Sequence, residues 1–326
     1  MILAGLMLSA LLTLGCNDKQ PVATTADAGT PQASAQPAFQ SATEGVTPKP
    51  VPSDALHVDG NRTFQYNKEV VAFGSRPVSS EGHAKLENYL KAKLKKDDLE
   101  IDEFPIDSPA GNFTGRNYIA KFPGKKDGLI VIAGHYDTVY SLPKAFVGAN
   151  DGGSSTALPL QIADVLRGKP NNGYSVWIVW TDAEEAFKTW TATDSLYGTR
   201  HLAAKWKQDD TAAKIKAFIL VDMIGDADLD IDEDANSTPW LRKVVYQAAS
   251  DLGYQSHFFV HPNAIEDDHL PFARIGVPVV DIIDLDYGYN NVFHHSVEDT
   301  LDKESPKSLQ IVGDTVLETI RLLNQQ

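Results

Sequence analysis

The stretch YSVWIVWTDAEE, residues 174–185, is an apolar run that stops abruptly at acids. Tyr174 to Trp180 is rich in β-branched and aromatic residues and reads as a buried strand. Where it ends stand Asp182, Glu184 and Glu185. Adjacent residues at a strand end point in different directions, so one glutamate could hold a metal while its neighbour faces a substrate. Alone, a Glu-Glu pair is most often part of a solvated loop. The other strand ends decide.

Leu129 to Ala133 is a second continuous apolar run of the kind buried parallel strands show. Ala217–Val221 and Val277–Ile283 are two more, and 101–106 and 117–122 read as earlier strands. Between them lie helical patterns. Leu86, Leu90 and Leu94 recur every four residues in a helix of about 80–96 capped by Ser79 or Ser80. Further helices are expected at 154–167, with Pro159 in or near its first turn, near 195–206, at 238–251 and at 306–324. Alternating β and α with continuous apolar strands predicts one α/β domain over residues 53–326. Its central sheet is mixed and mostly parallel, with helices on both faces.

Open α/β sheets bind ligands at the carboxyl ends of their strands, and here those ends share one chemistry. The run at 129–133 leads into His135 and Asp137, then Asp151 within a glycine-rich loop. The run at 217–221 ends in Asp222, and the one at 277–283 leads into Phe293, His294 and His295. Taken singly, such a histidine is more often a structural hydrogen bonder and Asp151 a helix cap. Together they form the imidazole and carboxylate set that zinc and its neighbours prefer. Asp137 could accept the second ring N–H of His135 and fix its tautomer. The acids from Asp226 to Asp234 lack the terminal glutamate of a calcium loop and are expected as a solvated loop. Trp177, Trp180 and Trp206 are expected in the core, and Arg200 and His201 as structural partners.

The order H-x-D, G-A-x-D, E-E, D-x-I-G and H-[ST]-x-x-D-T resembles the zinc aminopeptidase (M28-like) family. The longer strings, Glu184–Phe187 with Trp190, Asp194–Leu202 and Glu266–Phe272, are similar to its animal-type glutaminyl-peptide cyclotransferase branch. The resemblance spans roughly residues 65–325. It implies that Asp151, Glu185 and His295 hold one catalytic zinc and that Glu184 shuttles the proton. Asp222 and Asp267 would form an acidic network beside it, while Trp190, Phe293 and His294 would shape the substrate side. His135, Asp137 and Asp222 would be a second metal site or support the first. Two departures stand out: no cysteine pair exists for the cyclase disulfide, and Glu266 stands where Gln is frequent. The implied activity is conversion of amino-terminal glutamine to pyroglutamate with loss of ammonia. A zinc aminopeptidase using a second metal on His135 and Asp222 is the first alternative, and a non-catalytic tethered binding domain the second.

A formal net charge of -15, from 44 acids against 29 bases, excludes nucleic acid as a partner and favours cationic groups such as peptide amino termini. The first 15 residues are apolar and uncharged, too short to span a bilayer, and are expected to be a signal peptide. Cys16, the single cysteine, follows at once and resembles a bacterial lipoprotein cleavage site whose thiol takes the lipid. Thr13 stands where that pattern has Leu, and no basic residue precedes the run. A misplaced start or plain cleavage therefore remains the alternative. Residues 16–52, rich in Pro, Ala and Thr, read as a tether. The domain is thus expected outside the cytoplasm, lipid-anchored in a bacterial envelope (periplasmic or cell-surface) or secreted, meeting a membrane only through Cys16.

Overall fold

A computed structural model describes residues 41–326, which belong to one unit. The expected leader, Cys16 and the tether up to residue 40 lie outside the described residues. In chain order, α1 (Gly60–Val71) starts at Asp59, whose carboxylate accepts from the amides of Asn61 and Arg62. Helix α2 (Glu81–Leu94) is capped by Ser80 through the His83 amide, which satisfies a donor the helix itself leaves free. A hairpin of β1 (Asp98–Ser108) and β2 (Gly111–Phe122) follows. Then come β3 (Lys126–His135), α3 (Ser155–Leu166) and β4 (Tyr174–Thr181). Helix α4 (Tyr197–Gln208) leads to β5 (Ile215–Asp222), the short β6 (Ile231–Asp234) and α5 (Pro239–Asp251). The chain ends with β7 (Phe258–Asn263), one turn of helix α6 (Leu270–Ala273), β8 (Val279–Ile283) and α7 (Pro306–Leu323).

The main sheet has the order β1-β2-β4-β3-β5-β8. β3, β4, β5 and β8 run parallel, and the β1–β2 hairpin adds to the edge of β4 antiparallel. Parallel neighbours need long crossovers, which here carry helices onto both faces. Alternate residues then enter two cores. Ile130, Ile132, Ile178, Trp180, Ile219 and Val221 pack on one face with Leu158, Ile162, Leu309 and Val312 from the helices. Val131, Ala133, Val179, Phe218 and Leu220 pack on the other with Leu202, Trp206 and Phe272. Each such large side chain contributes about 1.5–3 kcal/mol by leaving water. All four parallel strands end on one edge, where the polar residues begin. Among the described residues no helix is long and apolar enough to cross a membrane.

Three features differ from the sequence reading. Helix α1 and the parallel pair β6–β7 were not expected. The acids expected as a solvated loop are largely inside: Asp226, Asp232, Glu233 and Asp234 are all buried. They are tolerated because backbone donors meet them, Asp234 accepting from the amides of Asn236 and Ile265 and from Ser237 Oγ. Residues 41–52, placed in the tether, hold no helix or strand but lie against the domain. The Ala42 amide and Ser41 hydroxyl donate to Glu233, and the Lys49 amide donates to Asp251.

Candidate active site

Glycine and strain shape the loop that carries Asp151. Between β3 and α3 the backbone makes a wide turn over Asn150–Ser154, with Gly152 at φ 79°. A Cβ on Gly152 would stand 2.3 Å from the Asp137 carbonyl oxygen, so only glycine lets this turn close on the end of β3. Three other residues beside or within the site lie in the left-handed region without being glycine: Ala183 (φ 56°), Met223 (φ 48°) and His295 (φ 51°). Such conformations persist where surrounding contacts impose them, commonly at functional sites. Here they turn Glu184 and Glu185, Asp222 and the His295 ring toward one cavity.

That cavity has a volume of about 370 Å³ and is lined by Asp151, Glu184, Glu185, Trp190, Asp222, Asp267, His294 and His295, among others. A larger groove of about 510 Å³, lined by Pro52, Phe122, Leu317 and Arg321, contains no imidazole. Chemistry, not volume, identifies the site.

Within it, His295 Nε2 lies 3.3 Å from Asp151 Oδ2 and 3.2 Å from Glu185 Oε1. Ligand atoms about 2.0–2.1 Å from a tetrahedral metal stand about 3.3 Å apart. His295 therefore stands at such a spacing from both carboxylates, and Asp151 Oδ2, buried, has no hydrogen-bond partner of its own. On the other side of the same carboxylate, His135 Nε2 lies 3.3 Å from Asp151 Oδ1 and 3.1 Å from Asp222 Oδ1. Asp151 thus belongs to two groups whose ligand atoms lie close enough together to hold a divalent cation, one with His294 and His295 and one with His135 and Asp222. The His294 ring lies tilted against that of His295, 3.8 Å between centroids, and meets the Asn291 side-chain amide through Nδ1. It is His295 whose nitrogen faces both carboxylates.

Crowding the buried acids Asp151, Glu184, Glu185, Asp222 and Asp267 around one cavity has electrostatic consequences. Burial pushes the Glu185 carboxyl up to about 8, with the Asp151 charge adding to it. Burial likewise raises Glu184 and Asp267 well above the ordinary carboxyl range, reinforced by their acidic neighbours. Burial opposes charge on His295, but the flanking carboxylates of Asp151 and Glu185 prevail and raise it to about 11. A bound divalent cation would displace these shared protons and invert the balance.

Several expectations are refined. Asp137 lies 3.7 Å from His135 Nδ1, too far for a hydrogen bond. Its carboxylate instead accepts from the amides of Glu184 (3.1 Å) and Glu185 (3.3 Å), so it aims the glutamate pair. Phe293 does not line this cavity. Its ring packs edge-on against Tyr287 at 5.4 Å and borders a neighbouring groove. Trp206 and Trp180 are buried in the core with Trp177 partly so, while Arg200 and His201 bond locally to Ser195 and Asp102.

Three supports were missed. Asp299 accepts from the amides of Asn150 (2.8 Å) and Asp151 (3.1 Å), gripping the turn. Fully buried Arg76 donates to the carbonyls of Gly74, Tyr136, Val147 and Gly148, tying together the chain on either side of the site. Asp194 accepts from the amides of Phe187, Lys188 and Thr189 and from Tyr197, folding the loop that holds Trp190. Asp194 and Asp299 left a signal, the one within a cyclase-like string and the other as the aspartate of H-[ST]-x-x-D-T, whereas Arg76 left none.

Comparison with known proteins agrees with this geometry. Residues 117–320 match peptidase family M28. A glutaminyl-peptide cyclotransferase of Gloydius blomhoffii is 31% identical over 264 residues, 69% of this chain and 71% of that one. The Drosophila melanogaster protein of the same name is 29% identical over 236 residues, 64% of this chain and 66% of its own. The crystal structure of an Acidobacteriales bacterium glutaminyl cyclase superposes with a TM-score of 0.82 at 52% identity, covering 86% of this chain and 99% of that one. The chain therefore belongs to peptidase family M28, in its glutaminyl-peptide cyclotransferase branch.

Proposed function

We propose that this protein is a zinc-dependent glutaminyl cyclase that acts on the amino termini of peptides. The observation that supports it most is that His295 stands at ligand-to-ligand spacing from both Asp151 and Glu185, with buried Glu184 alongside, in a chain of the cyclase branch. Zinc on these three residues would supply Lewis acidity toward the γ-carbonyl of an amino-terminal glutamine. Glu184, in the same cavity, takes a proton from the substrate's α-amine as that nitrogen bonds to the carbonyl carbon of the side-chain amide. It returns the proton to the departing amide nitrogen, which leaves as ammonia. Because attacker and target belong to one bound residue, holding that residue in place supplies much of the acceleration. Trp190 and the loop held by Asp194 close the cavity from the side. Asp222 and Asp267 flank Glu184 and carry the charge balance of the proton's round trip.

A second reading has its own support. The group of His135, Asp151 and Asp222 could take a second metal, as a two-metal aminopeptidase would require. Purified protein should be offered glutaminyl and leucyl peptides, with ammonia and free amino acid measured and bound zinc counted. The cyclase reading expects ammonia, a peptide of unchanged residue number, about one zinc per chain and loss of turnover on chelation. Free leucine and about two zinc ions would establish the peptidase instead.

A further inference from the structure

Behind the active-site acids sits a trio that the proposed reaction does not use. His269, at the start of α6, lies between Asp234 at the end of β6 and Asp281 in β8, and all three are fully buried. Its Nε2 is 3.3 Å from Asp234 Oδ2 and its Nδ1 is 3.4 Å from Asp281 Oδ2. Among the described residues neither ring nitrogen has a conventional hydrogen-bond partner, and neither Asp281 side-chain oxygen has one. The two nitrogens face opposite acids. One ring nitrogen and an oxygen of each acid lie close enough together to hold a metal, but none of the three residues reaches solvent to admit an ion.

Proton bookkeeping defines what the trio is. Two nitrogen-to-carboxylate contacts need two protons among three groups, whichever atoms carry them. With one proton an imidazole lone pair would face one of two buried carboxylates, of which only Asp234 has other donors, an arrangement folding does not tolerate cheaply. Other charged and polar groups facing it are few. Ser237 Oγ donates to Asp234 and accepts from the Asp281 amide, while Arg242 donates to the Asp234 carbonyl and neighbours Glu233. Asp267 and Asp222 bear on Asp281 from the active-site side, and Asp232 from β6.

The trio's reach into the site is covalent. Asp267, Asp268 and His269 are consecutive, and each is held differently. Asp268 accepts from Thr181 at the end of β4 (2.6 Å) and from Thr199 in α4 (2.5 Å). His269 ties the same turn to β6 and β8, and only Asp267 of the three lines the catalytic cavity. We propose that Asp234, His269 and Asp281 form a buried two-proton bridge that fixes the turn presenting Asp267, making His269 a positioning residue for the reaction. The role in catalysis rests on the cyclase reading; the bridge itself does not.

The test uses the zinc-loaded full chain and His269→Gln, read in two ways. Proton NMR with labelled histidine should show two strongly deshielded, slowly exchanging bridge protons in the native protein, both absent from the variant. Steady-state kinetics on a glutaminyl peptide should show kcat lowered about 10- to 100-fold, the scale of a small misplacement of a reacting group. KM and zinc content should stay within about twofold. Should His269→Gln not fold, Asp281→Asn carries the test, because the amide is a weaker acceptor and one bridge resonance must move upfield. Fewer than two such protons in the native chain overturns the bridge whatever reaction the enzyme performs. Unchanged kcat, or a loss of kcat that tracks loss of zinc, overturns the positioning role and leaves the cyclase assignment intact. A chain that cyclises no peptide but shows both protons overturns the cyclase assignment and the role together, while the bridge stands.

Discussion

In the proposed reaction Glu184 and Glu185, adjacent in sequence, have different jobs. Glu185 Oε1 stands 3.2 Å from the His295 ring nitrogen, which also faces Asp151. Glu184 lines the cavity, and both amides are anchored on the Asp137 carboxylate. If Glu185 is a ligand, Glu185→Gln removes charge from the metal, and zinc affinity and turnover fall together. Glu184→Gln keeps size and hydrogen-bonding reach but cannot accept the amine proton. It should leave zinc content and KM nearly unchanged and lower kcat by about two to four decades. Metal analysis and kinetics on both variants check this; a Glu184→Gln protein that loses its zinc reverses the assignment. These residues were legible in the sequence because an acid or imidazole following an apolar run has few bland explanations when four strands repeat it. Arg76 was not, and Asp299 was visible only as the aspartate of H-[ST]-x-x-D-T without its role, because their work is done on backbone amides and carbonyls that no side-chain pattern encodes.

At the scale of elements, the strands and most helices were legible because both faces of the parallel sheet are covered, which makes the strands continuous apolar runs. β6 was not, since Asp232, Glu233 and Asp234 read as solvated until backbone donors are known to meet them. The wide turn over Asn150–Ser154 was equally hidden. Its precision depends on Asp299, whose carboxyl burial pushes up to about 7, with the Asp151 charge adding to the shift. Asp299→Asn keeps one acceptor and loses the other, so one of the amides of Asn150 and Asp151 goes unmet. Residues that orient metal ligands typically account for about 10- to 100-fold in affinity. Competition with a chelator should therefore show zinc held about that much more weakly by Asp299→Asn, with far-UV circular dichroism unchanged. Equal affinity would mean that the turn is held by Arg76 and the glycines alone.

For the molecule as a whole, the surplus of acid is partly inside, and this gives stability a sign with pH. Burial lifts the Asp284 carboxyl to about 8, against the pull of the Asp230 and Asp286 amides that it accepts. An unfolded aspartate titrates near 3.9. Between about pH 4 and 8 the folded chain therefore holds the extra proton, and stability falls as pH rises through that window. In melts of the zinc-loaded protein at pH 6 and 8.5, Asp284→Asn should flatten this fall; parallel slopes for variant and parent would refute the assignment. The amino-terminal boundary is the other global question. Ser41 and Ala42 donate to Glu233, the Lys49 amide to Asp251, and Gln247 to the Thr47 carbonyl, none of them near the catalytic cavity. Without that segment, buried Glu233 would keep Arg242, 3.6 Å away, but lose two donors. A few hydrogen bonds of this kind are worth about 1–2 kcal/mol in total, and for a chain of this size each kcal/mol shifts Tm by about 2–4 °C. A chain beginning at Ser53 should thus fold and keep full turnover but melt about 2–8 °C below one beginning at Ser41. Equal melting temperatures would return residues 41–52 to the tether, and a chain from Ser53 that does not fold would place the start of the domain at or before Ser41.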